Sequence, residues 1–187
     1  MGEPQIKGVA LRGMLAAARK LHGDSFLEAM LAHLPPQTAR LVRAGGFLSG
    51  GWYPLATFRE LNHAAQRAAG LGPELSRALA REATADDFRG IYRVLTFVLS
   101  PEFVIKRAPT LFSRYYDTGR MEVVRAVSGS AQARFSGCVG FDRSVWQGVA
   151  GGCVAVLEAC GGQDVDVRAT DGGNDGDEHL FLAATWK

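Results

Sequence analysis

The spacing of apolar residues changes period once, at Gly119, and this switch constrains the fold more than any other feature of the chain. Up to Tyr116 they recur every three or four positions, the mark of helices with one buried face. Leu11, Met14, Leu15, Ala18 and Leu21 keep that spacing and stop at Gly23; Phe26, Leu27, Met30, Leu31 and Leu34 keep it until Pro35 and Pro36. Ser25 and Glu28 read as a capping box for the second helix. A short helix over 37–44 follows, then a glycine-rich loop over 45–51. Pro54 and Pro73 each start a further helix, the usual place for a helical proline. Asp86 or Asp87 reads as the cap of a helix carrying Phe88, Ile91, Leu95, Val98 and Leu99. Ser100 caps the next, and Pro109 opens one more through Leu111, Phe112 and Tyr115.

Beyond Gly119 the pattern alternates with period two. Segments 122–127 and 131–135 read as a hairpin turning at Ser128, Gly129 and Ser130, with Gln132 and Arg134 on a solvated face. One long helix interrupts the strands. Asp142 is its expected N-cap, Phe141 and Trp146 stand at the positions of a hydrophobic staple, and Gly161 and Gly162 end it. Val145, Val149, Cys153, Val156 and Cys160 form its expected apolar stripe. Two more strands, 165–169 and 180–186, flank an acidic turn over 171–178. The expected fold is α+β: an N-terminal helical half (1–117) packed on a C-terminal four-stranded antiparallel sheet (118–187), which one long helix covers. At 187 residues with 47% apolar content, one domain over 1–187 is the expected organisation.

Composition excludes more than it selects. Twenty-one basic and 19 acidic residues give a net charge of +2 without a basic block, so no attraction to nucleic acid is expected. No apolar run reaches the length of a membrane span. Residues 1–7 are polar, which predicts no signal peptide, and three cysteines fit a reducing compartment. Cytoplasm is the expected location.

Two resemblances follow from particular residues. Gly50-Gly51-Trp52-Tyr53-Pro54, Asp86-Asp87-Phe88-Arg89-Gly90-Ile91-Tyr92, Arg107-Ala108-Pro109, Tyr115-Tyr116-Asp117-Thr118-Gly119-Arg120 and Gly140-Phe141-Asp142-Arg143 with Trp146 resemble an uncharacterised protein family expanded in myxobacteria. That family brings no activity with it. The order of elements resembles the haem nitric-oxide-binding and vinyl-reductase-like ligand-binding fold, shared with TRAPP transport-complex subunits. This resemblance implies a ligand- or partner-binding module, often dimeric. Haem-binding members carry a proximal His on a helix of the helical half and a Tyr-x-Ser-x-Arg motif just before the long helix. Here 135–141 lacks that motif, Tyr116-x-Thr118-x-Arg120 echoes it before the first strand, and no His lies between His63 and His179. Zinc-binding members have cysteines in the last hairpin, where this chain has Glu178 and His179.

Candidate chemistry is sparse. Cys153 and Cys160 are seven residues apart on one helix, about 10 Å along its axis and too far for a disulfide. With Cys138 they make no zinc spacing, and all three read as buried apolar residues; Cys138, beside Gly137, is the one a thiol enzyme would use. His22 and His33 fall near helix ends, where a partial positive charge suits the dipole. His63, between apolar helical positions, is the one a haem or metal sensor would use. The 45–51 loop lacks the Lys-Ser or Lys-Thr of a phosphate loop. Gly148, Gly151 and Gly152 each weaken the long helix, and close approach of that helix to the sheet is the expected reason. The leading expectation is a non-enzymatic binding or sensory module with no cofactor, no metal and no catalytic residues. Its pocket would be lined by Trp52, Tyr53, Phe88, Tyr92, Tyr115, Tyr116 and Trp146, and its partner would be a small apolar ligand, a protein or a second copy of the chain.

Overall fold

A computed structural model describes residues 2–90 and 100–187. In chain order the elements are β1 (Gln5–Lys7), α1 (Gly8–His22), α2 (Asp24–Ala32), α3 (Pro36–Arg43), β2 (Trp52–Pro54), α4 (Leu55–Ala69), α5 (Glu74–Gly90), α6 (Pro101–Tyr115), β3 (Arg120–Val127), β4 (Ser130–Ser136), α7 (Arg143–Ala159), β5 (Asp166–Gly172) and β6 (Leu180–Thr185). The helical half therefore precedes the switch and the sheet follows it, with α7 among the strands, as the periodicity predicts.

The four strands pair antiparallel in the order β3-β4-β6-β5. Register places Ala131, Ala133 and Phe135 opposite Ala184, Leu182 and Leu180. Phe135, Leu180, Leu182 and Val167 are buried on the inner face, while Gln132 and Arg134 are exposed on the other. There Arg134 pairs with Glu122 across the strands. Both edge strands carry a bulge, between Val123 and Arg125 and between Ala169 and Asp171. Bulges twist an edge away from further pairing.

Helix α7 is buried on two sides. Trp146, Ala150, Val154 and Leu157 are buried along it, while Val149, Cys153 and Val156 of the expected stripe are only half-buried. The glycines serve the second side. A Cβ on Gly151 would lie 3.0 Å from the carbonyl carbon of Arg77 and closer still to its oxygen. The close approach is thus to α5, not to the sheet, and only a residue without a side chain lets the two backbones touch there.

Several local expectations give way. The Ser25–Glu28 capping box does not form: α2 starts at Asp24 after Gly23, with no side-chain cap. Asp86 and Asp87 lie inside α5 rather than capping a new helix, because Asp86 pairs with Lys20 and Arg89, both at 2.7 Å. Tertiary ion pairing along a continuous helix replaces the expected break. Ile91, Leu95, Val98 and Leu99, expected on the same helix, lie outside the described residues. Pro109 sits within α6 instead of opening a helix. It lacks an N–H, so the carbonyl four residues earlier loses one bond while the helix continues.

β1 and β2 appear in no sequence pattern. Each has three residues, paired from Gln5 opposite Pro54 to Lys7 opposite Trp52. Asp117 Oδ1 accepts from the Gln5 amide at 2.6 Å, and Ile6 bridges to Tyr116, so the N-terminal strand is tied to the entrance of the sheet half. The buried apolar residues form one continuous cluster from Ile6 to Trp186, with a smaller cluster around Phe88, Val104 and Cys160.

Candidate functional site

The buried carboxylate of Asp142 organises an open cleft on the surface. Asp142 is the N-cap of α7, as its sequence position predicts: Oδ1 accepts from the Val145 amide at 2.9 Å. Phe141 and Trp146 complete the staple, their ring centroids 4.6 Å apart. The other oxygen, Oδ2, is used by α4. Arg59 Nε donates to it at 3.0 Å, and His63 Nε2 lies 2.9 Å from it. Arg59 and His63 are four residues apart, on one face of α4. The Asp142 side chain is 5% exposed, against 40% and 41% for Arg59 and His63. One carboxylate thus joins the helical half to the first turn of α7.

The turn between β5 and β6 forms the opposite wall. Asp175 Oδ1 accepts from the Arg143 amide at 2.9 Å, and Trp146 Nε1 donates to the Asp177 carbonyl at 3.3 Å. Asp177 Oδ2 accepts from the Asn174 amide and side chain at 2.9 and 3.0 Å, which holds its carboxyl below the usual range. Acidic side chains at a helix N-terminus are favoured by the free N–H groups there. Between the walls lies an open cleft of about 380 Å³, lined by Arg59, His63, Gly140, Phe141, Asp142 and residues 175–178. That is the lower part of the size range of small-molecule sites. Asp142 Oδ2 takes only Nε of Arg59, so among the described residues the two terminal nitrogens of that guanidinium meet no acceptor. They are available for a ligand oxygen.

The expected aromatic pocket is dispersed. Trp52 is 39% exposed, with Lys7 Nζ 4.0 Å over its ring. Tyr53 fastens the 45–51 loop: its hydroxyl donates to the Gly46 carbonyl at 3.1 Å and accepts from the Leu48 amide at 2.7 Å. Phe88 belongs to the smaller apolar cluster, and the Tyr115 hydroxyl donates to Asp87 Oδ2 at 3.3 Å. Tyr92 lies outside the described residues. Tyr116 and Trp146 do come together, both against Phe141 at 4.9 and 4.6 Å, but as packed interior. Burial raises the Tyr116 phenol far above its ordinary value.

Cys138 is fully buried, and burial pushes its thiol up to about 12. Cys153 is pushed up to about 11 by the same cause, and Cys160 also rises. A thiol enzyme depends on a depressed value, since the thiolate is the nucleophile. His22 and His33 are exposed, and His179 Nε2 is 3.5 Å from Asp171 Oδ2 at the surface. Among the described residues no group of three His, Cys, Asp or Glu is arranged to hold a metal ion, and no helix is long and apolar enough to cross a membrane. Arg59 is not among the residues that the sequence singles out; its position one turn before His63 is the available signal.

No family model matches the chain, and no curated protein does. The comparisons therefore add nothing to the myxobacterial resemblance. Solved structures do match, over nearly the whole chain. The Fe(II) unliganded H-NOX protein from K. algicida aligns with a TM-score of 0.70 at 9% identity, covering 97% of both chains. The Fe(II)NO form of an H-NOX protein from S. oneidensis gives 0.72 at 11% identity, over 97% of this chain and 99% of that one. An oxygen-binding H-NOX domain related to soluble guanylate cyclases gives 0.65 at 12% identity, over 97% and 95%. The chain has the H-NOX-like fold, and the likeness extends to the helical half as well as the sheet. At these identities it speaks for fold alone.

Proposed function

We propose that this chain is a non-enzymatic sensory or binding module whose working site is the cleft at Asp142. The neighbours in fold are described as Fe(II), nitric-oxide and oxygen forms of H-NOX proteins. What carries over is an architecture in which a helical half and a sheet half share one interior. The observation that carries the proposal is the single buried carboxylate that caps α7 and binds Arg59 and His63 at the edge of an open cleft. A ligand that takes up the free nitrogens of Arg59 would alter the α4 side of this junction, and the first turn of α7 would feel it. With Asp175, Asp177 and Glu178 facing Arg59 and His63, the cleft suits a small neutral polar molecule that offers an oxygen acceptor better than the apolar ligand expected from the aromatic residues. Three free cysteines fit action in a reducing compartment such as the cytoplasm. A second copy of the chain is a further partner to test.

The haem reading through His63 is weakened because Asp142 already engages its Nε2. The thiol-enzyme reading at Cys138 is weakened by the burial that keeps that thiol protonated. Native mass spectrometry of gently purified protein tests the proposal. A bound small molecule or partner is expected, and it should be depleted by Arg59→Met. A bare monomer for wild type and variant alike would remove the reading.

A further inference from the structure

We infer that this chain maintains the H-NOX-like fold without a porphyrin, its two halves joined instead by five contacting aromatic rings. The inference does not depend on the cleft being a binding site.

The first argument is space. Phe112 of α6 lies 5.0 Å from Tyr116 and 5.3 Å from Phe135 of β4, measured between ring centroids. Phe141 then meets Tyr116 at 4.9 Å and Trp146 of α7 at 4.6 Å, and Trp146 returns to Phe135 at 6.2 Å. These separations are those of aromatic pairs in contact. The rings come from α6, β4 and α7 and from the segments that connect them, so among the described residues they pack across the seam between the halves. Beside them α5 touches α7 backbone to backbone at Gly151. A flat macrocycle inserted at this seam would have to displace rings that already satisfy one another.

The second argument is the donor set. Haem iron is held by His, Cys thiolate, Met or Tyr. Three of the four histidines are exposed, and the fourth is engaged by Asp142. The segment 91–99 contains no His, Cys or Met, and Tyr92 is its one residue of these types. Cys138, Met14 and Met30 are buried among packed apolar side chains, and the Tyr116 ring is packed against Phe112 and Phe141. Among the described residues no buried side-chain nitrogen or oxygen lacks a hydrogen-bond partner. The interior they form therefore presents no nitrogen or oxygen donor left waiting for a group.

The test is a titration of haemin into the full chain, followed at the Soret band and by thermal melting, for wild type and His63→Ala. The expected result is no band that saturates at one equivalent, with the melting temperature of both proteins unchanged by haemin. A Soret band saturating at one equivalent with a raised melting temperature overturns the inference, whether it appears in both proteins or in wild type alone. Neither result decides what the cleft binds, which rests on mass spectrometry of the untreated protein.

Discussion

Replacing the glycines of α7 one at a time should separate a packing contact from a mere helix weakness. Alanine at a helix interior position is favoured over glycine by about 1 kcal/mol. At Gly148 the new Cβ would meet Ala80 Cβ at 3.7 Å, and at Gly152 it would meet Thr84 Oγ1 at 3.5 Å, both ordinary contacts. Those two variants should be neutral or stabilised by up to about 1 kcal/mol. At Gly151 the Cβ would sit 3.1 Å from Arg77 Cα and inside the radius of its carbonyl oxygen. Backbone cannot rotate away, so overpacking at the upper end of about 1–3 kcal/mol applies and outweighs the propensity gain. The net expectation for Gly151→Ala is a loss of about 1–2 kcal/mol. At roughly 2–4 °C per kcal/mol for a chain of this size, its midpoint should fall by about 2–8 °C while those of the other two hold or rise. Urea unfolding followed by circular dichroism supplies the free energies. If Gly151→Ala is as stable as wild type while Gly148→Ala loses stability, the packing of α5 on α7 is wrongly described.

Four further outcomes follow from the same structure. Asp142→Ala should cost about 1–3 kcal/mol, because the cap at Val145 and the partner of Arg59 go together; Asp142→Asn keeps a good capping acceptor and should cost less in the same unfolding assay. The thiols of Cys138 and Cys153, raised to about 12 and 11, should resist iodoacetamide at about pH 8 in the native protein and react once it is unfolded, as located by peptide mass; fast native reaction at either residue would contradict this. Because the folded state holds those protons more tightly than the unfolded chain, whose thiols titrate near about 8.5, stability should be complete below that pH and fall as pH rises towards 12, read from urea midpoints in alkaline buffers. Gly119→Ala should lose about 2 kcal/mol, since its φ of 75° disfavours a side chain and the new methyl would collide with Cys138 Sγ.

Some local signals foretold local structure, although the Ser25–Glu28 box and the helix start at Pro109 did not. The cap and staple of α7 were legible because Phe141, Asp142 and Trp146 lie within six consecutive residues and interact along one turn. The alternation in β4 was legible because one face of the sheet is buried and the other wet. Contacts between residues distant in sequence were not. β1 pairs with a strand that the whole of the first three helices separates from it, and three-residue strands carry too little pattern to be seen. The glycines of α7 announced a close approach, expected towards the sheet, but the surface approached is α5. Asp86 and Asp87 read as a cap because acidic residues favour helix starts; the ion pair from Lys20 to Asp86 spans 66 residues and overrides that preference. The site followed the same rule. His63 was legible as a half-buried histidine and Asp142 as a cap, but their meeting depends on how α4 lies across the start of α7.

The claim on which the account depends is that Asp142 couples the helical half to the sheet half at the cleft. Hydrogen exchange measured by mass spectrometry on wild type and Asp142→Ala tests it most directly. Faster exchange is expected both in the first turn of α7 and in the α4 segment carrying Arg59 and His63. Faster exchange confined to α7, with α4 as protected as in wild type, would contradict the coupling.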